Sequence, residues 1–390
     1  MSFDVAVGLS GAELNMAAAA VYHALYPKVF TGSHQADYEG ATFTIGIDVT
    51  APPQFNLGTA TYQQFTLSLP AVKLTLSNSV TTKLQVAIDA HCLVQDVGGK
   101  VSFVPDQISI GKQQDPVTDY LVQHVVAPAI KDMLTQLMSG VSIPPIQVAG
   151  VPLSAPSIAV VNGYVIAAVN LAAAGPPPPP DGSFPWPATP FFALLGPGLI
   201  QQLAVIATAS ATNRFSASGS GGNHWGGYNW SYSLSLTSPR SAIAGGDIQL
   251  RFTLQGGVSA GVEVLYIPIS LGFDAHAAPD PSAVAALQVQ GAELVLTVTS
   301  MAPFTVYVIP GTVPTWIFGW LITAIINGVT LTLGPLISTF LKNLRLDSLQ
   351  IPRYSISVAG TTLTLTPANL TTGGAGGMIA LTGTASVAPG

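Results

Sequence analysis

A short motif that occurs twice constrains the fold of this chain more than any other feature of its sequence. Residues 143–150 read IPPIQVAG, and residues 351–360 read IPRYSISVAG. A helical pattern that opens at a proline, Pro128 or Pro335, precedes each copy. Because the apolar positions coincide when counted from these prolines, the sequence predicts a duplicated unit. The matching positions are Ile130, Met133, Leu134 and Leu137 in the first copy, and Ile337, Phe340, Leu341 and Leu344 in the second.

Two further similarities support the duplication. The tetrapeptide IDAH at residues 88–91 is echoed by FDAH at residues 273–276. Each half also opens with an apolar segment that we predict to be helical, GAELNMAAAAVYHAL from Gly11 and FFALLGPGLIQQLAVIA from Phe191. These segments occur in the same order in both halves, as a repeated unit requires.

A proline-rich segment separates the two copies. Residues 175–187 read GPPPPPDGSFPWP, and consecutive prolines favour an extended polyproline II conformation without internal hydrogen bonds. We therefore predict a stiff spacer at residues 176–187, a first unit at residues 1–175 and a second unit at residues 188–390.

Between the predicted helices, apolar residues alternate with polar ones, which is the pattern of half-buried antiparallel strands. Each half therefore reads as helix, strands, helix, strands, and the predicted fold class is α+β. The alternation is clearest at residues 43–49, 65–69, 72–76 and 84–88 in the first half, and at 230–236, 248–254 and 294–298 in the second.

The charge balance excludes several classes of function. Only 8% of the residues are charged, the net charge is -6, and Lys and Arg together number 12. Binding to nucleic acid requires a basic face, so we expect no nucleic-acid partner, and attraction to anionic lipid surfaces is disfavoured as well. The one cysteine, Cys92, rules out an intramolecular disulfide, and the start MSFDVAVGLSG lacks the pattern of a signal peptide. We expect a cytoplasmic protein, with later export by a non-classical route left open.

Hydrophobic residues make up 48% of the chain and the mean hydropathy is +0.50. Such a chain either crosses a membrane or buries much apolar surface within itself. Residues 316–333, WIFGWLITAIINGVTLTL, are long enough to span a bilayer, but Asn327, glycines and threonines interrupt them. We favour a buried helix here and expect any membrane contact to be peripheral.

The sequence offers few motifs for catalysis. It contains no Walker-type, GxGxxG or CxxC pattern, and its histidines form no HxH or HxxxH pair. Asp89 with His91, and Asp274 with His276, suit either a proton-sensitive or metal-binding pair or a solvated strand end. Cys92 fits a small core residue better than a nucleophile. We therefore expect no enzyme activity, no catalytic residue, no metal site and no cofactor.

The one feature of the composition that points to a function is the surplus of apolar residues. Long twisted sheets that roll around helices can leave an elongated cavity, and apolar cavities bind apolar ligands. Burial contributes about 0.8 kcal/mol per methylene, so a sixteen-carbon acyl chain offers on the order of 12 kcal/mol before the costs of association. The alternative is that the apolar faces fill ordinary cores.

The whole plan resembles the tubular lipid-binding superfamily, which includes the bactericidal/permeability-increasing protein, cholesteryl ester transfer protein and lipid-binding-like proteins encoded in bacterial toxin clusters. Residues 5–27, VAVGLSGAELNMAAAAVYHALYP, look like the first strand and first long helix of that family. The segments from Ala127 and from Gly334 look like its second helix and the strand that follows. Residues 175–187 resemble the linker of the bactericidal type. The likeness spans nearly the whole chain and rests on pattern rather than on invariant motifs.

The resemblance implies two elongated, pseudo-repeated domains, each a highly twisted antiparallel sheet wrapped around a long helix. Each domain would line a tunnel for acyl chains. This chain lacks the lysine-rich tip, the disulfide and the signal peptide of the serum members, so the intracellular or toxin-cluster branches fit better. The lipid-binding side chains would be those of the repeated helix face: Ile130, Met133, Leu134, Leu137, Ile337, Phe340, Leu341 and Leu344.

We therefore expect non-catalytic binding or transfer of a lipid or fatty acid in an apolar tunnel. The alternative is a structural or accessory subunit of a secreted or toxin-associated complex, with its tunnels closed by side chains and no bound lipid. Protein partners are compatible with either function.

Overall fold

The computed structural model describes residues 3–58, 63–97, 100–139, 142–143, 148, 150–210, 214–223, 226–264, 267–290, 293–310, 323, 327, 335–339, 346–350, 354–358 and 361–389. These residues form mostly antiparallel sheets, curled into half-barrels, with few helices. A long helix enclosed by a sheet in each unit stays a prediction. Most of the apolar segment at 316–333 lies outside the described residues, and no described helix is both long and apolar enough to cross a bilayer.

Helix α1, Gly11–Leu25, begins where the sequence predicts because Ser10 caps it. The Ser10 hydroxyl accepts a hydrogen bond from the Glu13 backbone N–H at 3.3 Å, as an N-cap serine does. The other helices are α2, Pro116–Leu121, and α3, Ala127–Ser139, in the first half, and α4, Pro197–Ser210, in the second. Residues 335–339 are also helical, and Ala172–Ala174 form a short 3₁₀ turn.

The second helix of the first half begins earlier than its proline suggests. The sequence predicts a start at Ala127, but α2, a π-helical turn at Val122–Val126, and α3 follow one another without a break. Pro128 therefore lies inside a helix, where it cannot donate a backbone hydrogen bond and crowds the preceding turn. The wider π turn, in which the Ala127 N–H donates to the Val122 carbonyl, lies directly before it. The true N-terminus is capped by the Asp115 carboxylate, which accepts from the Thr118 N–H at 2.8 Å.

A second correction concerns residues 191–207, which the sequence predicts to be one helical segment. Phe191–Leu195 instead form a strand whose residues are all buried, and the helix begins only at Pro197. A short apolar run does not distinguish a buried strand from a buried helix by its periodicity. Gly196 and Pro197 mark the boundary between them.

The described strands form three antiparallel sheets. The central sheet has the order β20-β21-β22-β11-β1-β10-β9, with β1 at Val5–Ser10, β9 at Ser157–Val161, β10 at Tyr164–Val169, β11 at Phe191–Leu195, β20 at Tyr354–Val358, β21 at Thr361–Ala375 and β22 at Met378–Pro389.

The other two sheets each belong to one half of the chain. The first-half sheet has the order β2-β3-β5-β6-β7-β8, with β4 paired to β5. Its strands are β2 Thr31–Tyr38, β3 Ala41–Val49, β4 Gln54–Asn56, β5 Gln64–Ser77, β6 Thr81–Val97, β7 Lys100–Ile110 and β8 Ser142–Ile143.

The second-half sheet has the order β12-β13-β14-β16-β17-β19, and β15 pairs with β14 and β18. Its strands are β12 Arg214–Asn223, β13 Gly226–Ala244, β14 Asp247–Val264, β15 Ile267–Ala278, β16 Ser282–Gln290, β17 Glu293–Met301, β18 Thr305–Pro310 and β19 Leu346–Gln350.

The central sheet joins the two halves of the chain. Strand β1 pairs with β10 on one side and with β11 on the other. In the second pairing Gly8 lies opposite Phe192, and a methyl group at Gly8 would lie 2.1 Å from the ring carbon Cζ. Only glycine leaves room for that ring, so the residue at position 8 is set by the close approach of the two halves.

The proline-rich segment lies against this sheet. Pro177 and Pro180 are buried, and their spacing matches the three-residue period of polyproline II. The Trp186 ring stacks on Phe3, with ring centroids 5.4 Å apart, and on Phe192 at 5.8 Å. The segment that the sequence predicts to be a spacer thus covers one face of the central sheet. The predicted unit boundaries at 175 and 188 stay a prediction.

Candidate functional site

An apolar cavity of about 70 Å³ lies between helices α1 and α3 and the first-half sheet. Every residue of its wall is apolar, so the cavity offers contacts to hydrocarbon and no hydrogen-bonding side chain. Its wall consists of Leu14, Ala17, Ala18, Val21, Phe30, Pro53, Phe55, Leu67, Phe103, Leu134, Leu137 and Met138.

Three aromatic rings support the sheet side of the cavity. Phe55 stacks on Phe65 with centroids 5.4 Å apart, and both rings meet Phe103 edge to face, at 5.7 Å and 5.3 Å. Offset and edge-to-face contacts at these distances are the favourable arrangements for aromatic pairs. The rings therefore form a fixed wall rather than an adaptable one.

Asn15 holds strand β4 against helix α1. Its side-chain amide donates to the Phe55 carbonyl at 3.2 Å, and its side-chain oxygen accepts from the Phe55 N–H. Both backbone groups of Phe55 are thus satisfied by one side chain. Because Phe55 lines the cavity, this pair of hydrogen bonds fixes the distance between the helix and that part of the wall.

A larger groove of about 490 Å³ runs between α3 and the edge strand β2. Leu137 lines both the groove and the cavity, so the two adjoin. The groove carries Lys28, Thr31, His34, Asp132 and Gln136 as polar residues, beside Val29, Gly32, Ile47, Ala129, Met133 and Leu137. Unlike the cavity, it can therefore contact a charged or hydrogen-bonding group.

Of the four predicted lipid-binding residues in the first half, one is packed in the core and three line the cavity or the groove. Ile130 is fully buried and lines neither space. Leu134 lines the cavity, Met133 lines the groove, and Leu137 lines both. In the second half, Ile337 is fully buried, while Phe340, Leu341 and Leu344 lie outside the described residues. A role for these eight residues in lipid binding stays a prediction.

Sequence reasoning missed the contribution of α1 to the cavity. Leu14, Ala17, Ala18 and Val21 all line it, and they fall at i, i+3, i+4 and i+7, the same spacing that selected the face of α3. The signal was present but weak, because the two alanines resemble the alanine-rich background of GAELNMAAAAVYHAL.

The groups considered for chemistry occupy ordinary structural positions. The Cys92 thiol is buried, and burial raises its pKa to about 12, so it stays protonated near neutral pH. Asp89 and His91 are exposed, and the Asp89 carboxylate accepts from the Ser68 hydroxyl at 2.6 Å. His276 stacks on Tyr307 with centroids 5.5 Å apart. In the part of the chain that the structure describes, no cluster of His, Cys, Asp and Glu could hold a metal ion.

The chain matches no protein-family model and no curated protein. Among solved structures it is similar to P47 from Clostridium botulinum A2, with 11% identity, a TM-score of 0.54 and coverage of 98% of this chain and 97% of that one. P47 of Clostridium botulinum E1 gives 8% identity, a TM-score of 0.49 and coverage of 98% of both chains.

A third solved structure, lipopolysaccharide binding protein, gives 10% identity, a TM-score of 0.34 and coverage of 99% of both chains. Of these three, only P47 from strain A2 exceeds a TM-score of 0.5. The chain therefore shares its fold with that P47 along nearly its whole length.

Proposed function

We propose that this protein is non-catalytic and binds an acyl chain or a similar apolar ligand between helices α1 and α3. The observation that carries the proposal is the cavity wall, which is apolar throughout and adjoins a partly polar groove. Ligand sites combine this kind of apolar lining with a few polar groups that fix orientation. The proposal includes the elongated two-unit architecture, with each sheet wrapped around a helix.

In this arrangement the groove is the mouth of the site. Lys28 and His34 lie on its wall and offer donors to a carboxylate or phosphate head group. The hydrocarbon tail passes Leu137 and lies between the two helices. The head group is then held at the edge of strand β2, while the tail is removed from water.

The volume of the cavity limits what it holds without movement. Its 70 Å³ is well below the roughly 300–1,000 Å³ of sites for small molecules. A full acyl chain therefore requires α3 to move away from α1. The same observation favours the second candidate, a structural or accessory subunit whose interior is closed by side chains.

Met133→Trp tests the proposed mouth. Met133 is half-buried on the groove wall, so an indole can project into the groove, and we expect the melting temperature to change by only a few degrees. Because the indole occupies the mouth of the site, we expect the affinity of the protein for a fluorescent fatty acid to fall at least tenfold.

Met16→Trp provides a matched control. Met16 lies on α1 with 41% of its surface exposed and lines neither the cavity nor the groove, so binding should be unaffected. Mass spectrometry of an organic extract of the purified protein gives the complementary measurement. If the extract contains no lipid and no fatty acid binds to the wild type, the accessory-subunit function replaces lipid binding.

A further inference from the structure

Two arginines lie directly opposite each other on the second-half sheet. Arg240 of β13 and Arg251 of β14 are cross-strand partners, and both side chains are exposed. Like charges in this position repel and destabilise a sheet. A partner beside the pair, either a carboxylate or a bound anion, would offset this repulsion.

The described part of the chain contains no such partner. None of its residues forms a hydrogen bond or an ion pair with either guanidinium. Asp247 lies on the same strand and the same face as Arg251, but four residues away, which is about 13 Å along a strand. Asp280, two residues before Ser282, is not bonded to either arginine.

A β-bulge places Arg240 on this face. The register of β13 and β14 shifts between Thr237 and Arg240, and Ser238 in the bulge has a φ of 50°. If the register that β13 keeps up to Thr237 continued unchanged, Arg240 would lie opposite Leu250, which is buried on the inner face. Bulges often redirect one side chain in this way at functional sites.

Helix α4 holds the bulge from the inner side. The Gln201 amide donates to the Pro239 carbonyl at 2.6 Å, and its oxygen accepts from the Ser241 N–H at 2.7 Å. It also accepts from the Ser241 hydroxyl at 3.2 Å. Three hydrogen bonds from one side chain thus fix the backbone on both sides of Arg240.

The arginines border a groove of about 350 Å³ that no carboxylate lines. Ser282, the cross-strand partner of Arg251, continues the row with a hydroxyl group, and Gln249 adds an amide. Guanidinium groups bind phosphate through two parallel hydrogen bonds, and neighbouring hydroxyl and amide groups can complete the shell of donors.

We propose that Arg240 and Arg251 form a binding site for a phosphate oxyanion on the outer face of the second-half sheet. The anion removes the repulsion between the two guanidinium groups and bridges β13 and β14. This site is separate from the apolar cavity of the first half and does not depend on the function proposed for it. The phosphate can belong to free inorganic phosphate or to a phospholipid head group.

Titration of the full-length protein with inorganic phosphate, in chloride buffer at constant ionic strength, tests the site. We expect phosphate to bind and to raise the melting temperature. Arg251→Gln should raise the dissociation constant at least tenfold and abolish the thermal gain. Arg251→Lys, which keeps the charge but loses the planar fork, should weaken binding severalfold.

Lys83→Gln is the control, because it removes one positive charge from an exposed strand position in the first-half sheet and should leave phosphate binding unchanged. Flotation with phosphatidylglycerol and phosphatidylcholine vesicles distinguishes the sources of phosphate. Retention by phosphatidylglycerol vesicles that Arg251→Gln abolishes identifies a head-group site, and phosphate binding without retention identifies a site for the free ion. If the wild type, Arg251→Gln and Lys83→Gln behave alike in both measurements, the proposal is wrong.

Discussion

At the scale of single residues, Cys92 shows how burial decides chemistry. Its side chain lies opposite Phe65 on the inner face of the first-half sheet, 1% exposed. Burial raises the pKa of the thiol to about 12, and only the thiolate is a strong nucleophile. The sequence correctly identifies Cys92 as a core residue, because the alternating pattern of Leu84–Ile88 extends to it in phase.

We predict that the Cys92 thiol of the native protein resists alkylation. With a pKa of about 12, roughly one thiol in ten thousand is ionised at pH 8, and reagents cannot reach the core. Iodoacetamide labelling followed by mass spectrometry should find the native thiol unmodified after hours and fully modified in urea. A second cysteine introduced by Ser79→Cys, at an exposed hairpin turn, should react within minutes.

The raised pKa of the Cys92 thiol also determines how its contribution to the stability of the folded state changes with pH. The protonated thiol is favoured more in the folded state than in the unfolded state, so its contribution to stability is complete below the unfolded pKa, about 8.5. It is lost as the pH rises from there towards about 12.

In the labelling experiment, rapid modification of native Cys92 at pH 8 would show that the first-half core opens frequently.

At the scale of elements, the contact between α1 and β4 is the feature that sequence could not provide. Strand β4 has only three residues, Gln54–Asn56, too few for an alternating pattern to be recognised. The hydrogen bonds between Asn15 and the Phe55 backbone join positions 40 residues apart in the chain. Helix α1 was predictable from its own periodicity and its Ser10 cap, but what it packs against was not.

We predict that Asn15→Ala lowers the free energy of unfolding by roughly 1–3 kcal/mol, because it leaves the N–H and C=O of Phe55 without partners in a half-buried position. Urea unfolding followed by circular dichroism measures the change. Asn15→Asp keeps the acceptor for the N–H and loses the donor, so it should have an intermediate effect.

Asn78→Ala is the matched control for this change. The Asn78 side chain also accepts a backbone hydrogen bond, from Ser79 at 2.7 Å, but at an exposed turn. Water replaces that partner, so the loss should be well below that of Asn15→Ala. Equal losses of unfolding free energy at the two positions would mean that the hydrogen bonds between Asn15 and Phe55 do not hold β4 in the cavity wall.

At the scale of the whole molecule, the alternation of apolar residues located parts of several long strands in both halves, among them β5, β6, β13 and β14. It was not enough to predict how the halves meet. The pairing of β1 with β11 brings together segments that are distant in sequence, and nothing in either short apolar run specifies the other. The contact of Trp186 with Phe3 and Phe192 was hidden for the same reason.

We predict that cutting the proline-rich segment does not separate the two halves. A protease site inserted at the exposed Gly182 should be cleaved, and the fragments should still elute together in size-exclusion chromatography. The β1–β11 ladder and the buried inner face of the central sheet hold them together. The uncleaved insertion variant is the reference. Two fragments that elute apart and each melt cooperatively would instead establish the halves as independent domains.

The position of β1 in the central sheet has a consequence for how the protein is made. Among the residues that the structure describes, β1 pairs only with residues 164–169 and 191–195, which are synthesised long after it. Until Phe191–Leu195 have been synthesised, a nascent chain carries an apolar strand with an open edge, and such edges promote association between chains. A fragment that ends at the proline-rich segment retains this edge permanently. The pairing of β1 therefore sets how far translation must continue past this strand before the central sheet can form.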